Sequence, residues 1–369
     1  MDPLVLFDHG ATEFREMMSN RRFYVTCGWL WCGLLALSSG SALAQDRLDA
    51  GVLGNENFWS PADRQAIEGF VDRQLAAIQS GDEKAISQGR LSLTDPTRTP
   101  GVSERFLNQF AELIAGKVQP LMDAQDLRVR LNTMVVSMSL PHPDAMGAIE
   151  QGLRDPSAGV RYPAARAIEA LLASGQLDTA QTVDALNLIQ ELIVDENDVY
   201  VAQPLFEAML AAPNDNDKVL EVLNERLARH IEQPEASFTP ESTALQAVYS
   251  RLITAPQRPR DQVRELARAS TRCMLLAAQQ LAASDVPEDA NTSHQDIIRV
   301  AAVALEFAHG EVQSRELAPP SPNRALTQSN WDSIVRIAEN WVTILKADPF
   351  NFSDAQLSIE APAGQAAAQ

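Results

Sequence analysis

One stretch near the middle of the chain limits the possible folds more than any other. Residues 155–172 read DPSAGVRYPAARAIEALL. Asp155 and Pro156 break the preceding segment, because proline has no amide hydrogen and restricts the residue before it. Small and apolar side chains then recur three or four residues apart, at Val160, Ala164, Ala167, Ile168 and Leu171. This spacing predicts an amphipathic helix that must bury one face against a neighbouring helix.

Pro163 sets where that helix can begin. A proline is best tolerated in the first turn of a helix, where its missing amide would have no partner in any case. We therefore expect the helix to start between Gly159 and Tyr162. The alanines that follow allow another helix to approach closely.

The same layout occurs twice more in the chain. Asp198 to Val201 is followed by apolar residues at helical spacing, and Val199 lies 39 residues after Val160. Upstream, Asp126 to Arg130 has a similar arrangement, and Val129 lies 31 residues before Val160. Periods of this length are typical of repeat proteins built from helical hairpins.

The order D-P-x-x-x-V-R-x-x-A-A-x-A-[IL]-x-A-L resembles the HEAT-repeat family of armadillo-like helical repeats, mainly over residues 126–231. The resemblance implies an all-α fold, an α-solenoid of antiparallel helical hairpins wound into a superhelix. It implies core positions for the valine and the alanines, packing between repeats for the aspartate and the arginine, and no catalytic role. The matching residues are Asp155, Val160, Arg161, Ala164, Ala165, Ala167, Ile168 and Leu171.

The first 44 residues are typical of a targeting segment. A positive start at Arg21 and Arg22 precedes an apolar run from Val25 to Leu37. That run is shorter than the roughly 20 residues needed to span a bilayer. Small residues at the expected cleavage site then follow, at Ala42 and Ala44 before Gln45.

These features predict a signal peptide over residues 1–44, with translation starting at Met17 or Met18. We favour cleavage over retention as an anchor. The chain is then exported, periplasmic or secreted, with no stable membrane insertion after cleavage.

Turn residues and proline-bearing breaks divide the remainder of the chain. Ser60 to Asp63 and Asp178 to Gln181 match helix-start patterns. A stripe of aromatic and aliphatic residues from Trp331 to Ile344 predicts a terminal cap, with an aromatic ligand site as the alternative. The expected segments are a mobile leader (45–59), an N-terminal helical cap (60–125), HEAT-like repeats (126–231), C-terminal helical hairpins and cap (240–348), and a disordered tail (349–369).

The charge of the chain excludes nucleic-acid binding. The formal net charge is −19, so a phosphate backbone would be repelled and no nucleic-acid partner is expected. Loss of the signal peptide would remove two of the three cysteines and leave Cys273. It lies in an apolar stripe, which favours a buried hydrophobe over a reactive thiol.

We find no sequence motif for catalysis, a cofactor or a metal. The five histidines are not paired with each other or with cysteine at metal-ligand spacing. The acidic turns 195–198 and 214–217 resemble calcium loops but lack the central glycine and the late glutamate. We interpret them as helix caps, and they are where calcium would bind if it binds at all.

The sequence therefore predicts a non-catalytic scaffold or adaptor that binds another, unidentified protein along its repeats. The alternative is an exported enzyme or small-ligand-binding protein that uses the divergent C-terminal helical half, residues 240–348. A deep pocket lined by converging polar side chains in that half would favour the alternative.

Overall fold

The computed structural model describes residues 48–212, 216–283, 286–312 and 316–359. Within these residues the chain is helical and contains no β-strand, which confirms the all-α class. The predicted signal peptide, its cleavage residues Ala42, Ala44 and Gln45, and residues 214 and 215 of the acidic turn at 214–217 lie outside the described ranges. In the part that is described, no helix is both long enough and apolar enough to cross a membrane.

The described ranges contain the following α-helices, with short 3₁₀ turns at 95–98, 119–123 and 143–145. They are α1 (Ala50–Leu53), α2 (Pro61–Gln79), α3 (Glu83–Thr94), α4 (Glu104–Val118), α5 (Leu127–Ser139), α6 (Met146–Leu153), α7 (Ala158–Ser174), α8 (Thr179–Asp195), α9 (Val199–Ala211), α10 (Asn216–Glu232), α11 (Thr239–Thr254), α12 (Arg260–Ala283), α13 (Glu288–Glu311), α14 (Asn323–Thr327), α15 (Trp331–Lys346) and α16 (Asp354–Leu357).

Local sequence chemistry sets several helix ends. The side chain of Ser60 caps α2 and that of Asp178 caps α8, each in a reciprocal pair with the residue three positions later. Both predicted helix starts are therefore confirmed. Gly175 ends α7 with a φ of +67°, a conformation that glycine adopts without the steric cost that a Cβ would bring.

The α7 helix begins at Ala158, one residue before the expected interval. Pro163 is consequently its sixth residue, beyond the first turn. The missing amide of Pro163 removes a helical bond to the carbonyl of Gly159. Pro204 occupies the same sixth position in α9. Two consecutive units thus tolerate a proline at the same depth inside the helix.

Many helices pack against the next helix but one along the chain. One series of contacts joins α3 to α5, α5 to α7, α7 to α9, α9 to α11, and α11 to α13. A second joins α8 to α10, α10 to α12, and α12 to α15. Sequential contacts, such as those of α6 with α7 and α8 with α9, connect the two series.

The helix α6 approaches α5 and α7 very closely at Gly152. A Cβ atom at this position would lie 2.5 Å from Met134 Sδ and 3.0 Å from Ala164 Cβ. Ala164 belongs to the alanine-rich stretch that singled out α7 in the sequence. Small residues on both helices therefore allow this close contact.

The C-terminal half is built around α12. Its segment from Thr271 to Ala278 is buried almost throughout, since α10, α11, α13, α15 and α16 surround it. Cys273 lies fully buried in this segment. A helix segment enclosed by several neighbours usually carries apolar side chains on nearly all of its faces.

Both ends of the described chain pack more tightly than the sequence predicted. Residues 50–53 of the expected leader form α1, and the Ser103 amide donates to the Leu53 carbonyl (2.9 Å). The predicted disordered tail from 349 onward needs correction over 349–359. Phe350, Phe352 and Leu357 are buried there, and Arg264 donates to the Phe350 carbonyl. Burial of three apolar side chains holds this segment in place.

Candidate interaction groove

The eight signature residues lie where helix α7 meets its neighbours. The six apolar ones, from Val160 to Leu171, have no exposed surface. Asp155 is buried in the turn before α7, while the Arg161 side chain retains about a fifth of its accessible surface. Asp155 and Arg161 both belong to a series of ion pairs that joins successive units, which we call the polar ladder.

The first rung of the polar ladder is built from Arg130 on α5. Its Nε atom donates to Asp155 Oδ2 (2.6 Å), in the turn before the next unit. Its Nη1 atom donates to the Ala124 and Gln125 carbonyls (2.8 and 3.1 Å), in the turn before its own helix. One guanidinium thus satisfies the carbonyls of one turn and binds the carboxylate of the next.

The second rung repeats this arrangement on α7. Arg161 binds Glu196 through two parallel hydrogen bonds, 2.7 Å from Nε and 3.0 Å from Nη2. Its Nη1 atom donates to the Asp155 and Pro156 carbonyls (3.0 and 3.1 Å). Bidentate arginine–carboxylate pairs fix orientation as well as adding energy, so the rung sets the stacking of α7 on the following turn.

The third turn lacks its own arginine, because Ala202 of α9 occupies the position equivalent to Arg161. An arginine from another helix replaces it. Arg229 on α10 donates to the Glu196 and Asn197 carbonyls (2.8 and 3.3 Å), the counterparts of the Asp155 and Pro156 carbonyls. The turn carbonyls are thus satisfied in three successive units, with two different sources of the guanidinium.

The ladder also corrects the predicted repeat length. Glu196 is the counterpart of Asp155, since each carboxylate accepts from the backbone amide two residues later (2.8 and 2.9 Å). Counterparts such as Val160 and Val201, or Pro163 and Pro204, are 41 residues apart. The predicted 39-residue spacing paired Val160 with Val199 and is wrong by two. Asp198 is the helix cap of α9 and not the equivalent of Asp155.

Beyond the third turn the ladder leads into a fully buried ionic cluster. Arg226 on α10 donates from Nε to Glu241 Oε1 (2.6 Å) at the start of α11. It also donates from Nη1 to the carbonyls of Ile193 and Glu196. His230 places Nε2 3.1 Å from the same Glu241 oxygen. At most 1% of any of these three side chains is exposed.

The charges in this cluster determine the ionisation of Glu241. Burial alone would raise the pKa of this carboxyl, because a low-dielectric environment disfavours the charged form. The positive charge of Arg226 and the contact with His230 outweigh burial and lower the pKa to about 2. Glu241 is therefore an anion at neutral pH, and the enclosed cluster is a structural junction of α10 with α11.

Two more polar side chains extend the cluster towards α13. The Gln280 amide nitrogen on α12 donates to the His230 carbonyl, and the Gln280 oxygen lies 3.1 Å from His294 Nε2. His294 Nδ1 lies 3.0 Å from the Ala290 carbonyl. Burial lowers the pKa of His294. The ring of Phe238 stacks on His230 (3.8 Å between centroids) and meets His294 edge-on (4.8 Å).

On the surface, α6 and α8 border an open groove with a volume of about 400 Å³. Met146 and Glu150 of α6 line one wall, with Arg154 directly after the helix, all at four-residue spacing. The other wall is one stripe of α8, with Leu177 just before the helix. Its residues are Gln181, Asp184, Ala185, Asn187, Leu188 and Glu191. Since a helix rises about 1.5 Å per residue, the α8 stripe runs for about 15 Å.

The groove combines an apolar floor with an acidic rim. Met146, Leu177 and Leu188 are only partly buried and pack on the main core. Glu150, Asp184 and Glu191 are exposed on the rim. Arg154 donates to Glu191 (3.0 Å), and this bond lowers the pKa of Glu191. Three carboxylates against one guanidinium leave the lining with a formal charge of −2.

Other residues considered for chemistry have structural environments. Burial raises the pKa of the Cys273 thiol to about 12, so it is protonated at neutral pH. Glu196 and Asp198 of the first acidic turn serve the ladder and the cap of α9. Trp341 is buried in the packing of α15. Among the described residues, no group of three or more histidine, cysteine or acidic side chains has a metal-binding arrangement.

No protein-family model matches the chain, and no curated protein sequence matches it.

Sequence reasoning missed both the buried cluster and the groove. A signal for the cluster was present, because Arg226 and His230 fall on the helical stripe that begins with Val219 and Leu223. A charged residue on the apolar stripe of a helix predicts a buried side chain that is paired with an opposite charge. The groove has no comparable signal, since it depends on how far apart α6 and α8 lie.

Proposed function

We propose that this chain is an exported α-solenoid of HEAT-like hairpins that serves as a non-catalytic scaffold for another protein. Two series of helix contacts that continue from unit to unit support the solenoid architecture. The ion pairs of Arg130 and Arg161 support it further. Each arginine binds the carboxylate in the turn before the next unit, and a stack of repeated units would place this bond at the same position in every unit.

The groove between α6 and α8 is the observation on which the proposed function rests. A partly exposed apolar floor with a polar rim is typical of surfaces that bind a protein segment. The groove lies on the repeat segment 126–231, where the sequence predicted binding. In contrast, the polar residues of the C-terminal half converge in an enclosed cluster, which favours a structural role there over the enzyme alternative.

Site-specific photo-cross-linking of the full chain in its native cells tests the proposal. A photoreactive residue replaces Val183, which is 45% exposed on α8 beside the groove. The matched control places it at Val303, which is 47% exposed on α13. We expect one reproducible protein adduct from position 183 and none from position 303. Cells that yield no protein adduct from either position would contradict the scaffold function.

Cell fractionation tests the export component separately. We expect a C-terminally tagged chain in the envelope or extracellular fraction, with a mature amino terminus at Gln45. A tagged chain that stays in the cytoplasm with residues 1–44 attached would contradict export.

A further inference from the structure

The acidity of the groove extends over the neighbouring helix. α10 packs against α8, and it presents three exposed carboxylates at Asp217, Glu221 and Glu225. The carboxyl group of Glu225 is partly shielded from water although the residue is exposed, and this partial burial together with the nearby charge of Glu221 raises its pKa, so negative charges repel one another on this face. Lys218 lies among them and donates to Asn187 at the groove edge (2.6 Å). A bound cation would relieve this repulsion.

The acidic rim and the apolar floor of the groove together restrict the kind of partner segment that can bind there. A purely polar basic peptide would leave Met146 and Leu188 in water. A purely apolar segment would desolvate Asp184 without pairing it and would leave Glu150 with only its 3.6 Å ion pair to Arg154, which is costly for ionised groups. A segment with apolar residues on one side and lysine or arginine on the other satisfies both surfaces. A groove of about 15 Å accommodates two to three turns of helix.

We propose that the groove between α6 and α8 docks a basic amphipathic helix of the partner protein, with apolar anchors on the floor and lysine or arginine against Glu150 and Asp184. The inference rests on the proposed scaffold function and names the chemistry of its partner. Helix-in-groove binding uses apolar anchors at helical spacing, and complementary charge sets orientation and association rate.

The probe is a synthetic amphipathic helix of about 12 residues, with leucine on one face and lysine on the other. A matched peptide carries glutamate in place of every lysine. Binding of each fluorescent peptide to the full chain is measured by anisotropy. We expect the lysine peptide to bind at least about tenfold more tightly than the glutamate peptide, and more weakly as salt rises. Equal binding of the two peptides would overturn the proposal.

A pair of variants with the same net charge separates local recognition from general attraction to an acidic protein. Glu150→Lys with Asp184→Lys reverses two charges of the groove. Glu306→Lys with Glu339→Lys reverses two exposed charges on α13 and α15. The groove variant should weaken binding of the lysine peptide at least about tenfold, and the control less than about twofold. Equal weakening by both variants would show general charge attraction only and would refute the docking site.

Leu188→Ser tests the apolar floor, with circular dichroism to verify folding. We expect about fivefold weaker peptide binding, because the anchor loses its apolar contact. Unchanged binding would contradict docking of an apolar helix face.

Cross-linking in cells distinguishes failure of this inference from failure of the scaffold function. If the chain forms its partner adduct normally despite the groove reversals, the scaffold function stands and the docking site is wrong. If the lysine peptide binds as expected but no cellular partner cross-links anywhere on the chain, the scaffold function is wrong.

Discussion

The buried pair of Arg226 and Glu241 offers the sharpest test of how this fold is held together. Replacing Arg226 with Met removes the guanidinium and leaves Glu241 with the contact to the His230 ring only. The pKa of Glu241 falls from 4.5 to about 2 in the folded protein. At about 1.4 kcal/mol per pKa unit, this shift corresponds to roughly 3 kcal/mol of stabilisation. Loss of the bonds to two turn carbonyls adds to the cost.

We therefore expect Arg226→Met to lower the free energy of unfolding by about 3–5 kcal/mol, the usual cost of leaving a buried ion without its partner. Glu241→Leu alone should cost a similar amount, because it leaves Arg226 buried without a carboxylate. The double variant should cost much less than the sum of the two, since no unpaired charge remains.

Urea unfolding at pH 7, followed by far-ultraviolet circular dichroism and by tryptophan fluorescence, measures these differences. Coincident transitions from the two signals establish a single unfolding step. Glu68→Gln is the control, because the Arg64–Glu68 pair is exposed and 3.8 Å apart. It should change stability by less than about 0.5 kcal/mol. A loss below about 1 kcal/mol for Arg226→Met, or additive losses in the double variant, would refute the reasoning.

Three further predictions concern the pH dependence of stability, the packing at Gly152 and the reactivity of Cys273. Stability should fall on acidification in two steps, because the unfolded chain binds more protons than the folded protein in both ranges. Below pH 6.5 the unfolded chain protonates His294, whose pKa is lowered in the folded protein, and below pH 4.5 it protonates Glu241, which stays ionised in the folded protein down to about pH 2. Denaturation midpoints at pH 7, 5.5 and 4 measure this, and His294→Gln should remove the first step. Gly152→Val should lower stability by about 2 kcal/mol or more through overlap with Met134, measured by thermal melting, whereas Gly116→Ala, where a Cβ meets no atom, should not. Iodoacetamide should alkylate Cys273 slowly in native protein and rapidly in urea, as mass spectrometry would show, because the buried thiol stays protonated; equal rates would contradict its burial.

Local patterns predicted the helices well, because those patterns depend on residues close in sequence. The caps at Ser60 and Asp178 are fixed by chemistry within four residues. The buried stripe of α7 follows from its spacing of small residues. These features needed no knowledge of the neighbouring helices.

Features that depend on distant residues were predicted poorly. The repeat length was wrong by two because Glu196 replaces an aspartate. Its equivalence to Asp155 shows only in the hydrogen bonds, namely the one that each carboxylate accepts from the amide two residues later and the one that Glu196 accepts from Arg161. The tail residues Phe350 and Phe352 are buried, and both contact Arg264 of α12, which is far away in sequence. The groove depends on the separation of two helices, which side-chain spacing does not encode.

The third turn explains why the repeat signal fades in the sequence after Arg161 while the packing continues. Its carbonyls at Glu196 and Asn197 still need donors, because turn carbonyls without hydrogen bonds destabilise a packed fold. Arg229 donates to these carbonyls from α10, so no arginine is needed at position 202, which is an alanine buried in α9. A motif search fixed on valine–arginine misses this unit, since the donor has moved to another helix. The hydrogen bonds from a guanidinium to the turn carbonyls are present even where the valine–arginine pair is absent. These hydrogen bonds therefore define the units better than residue identities do.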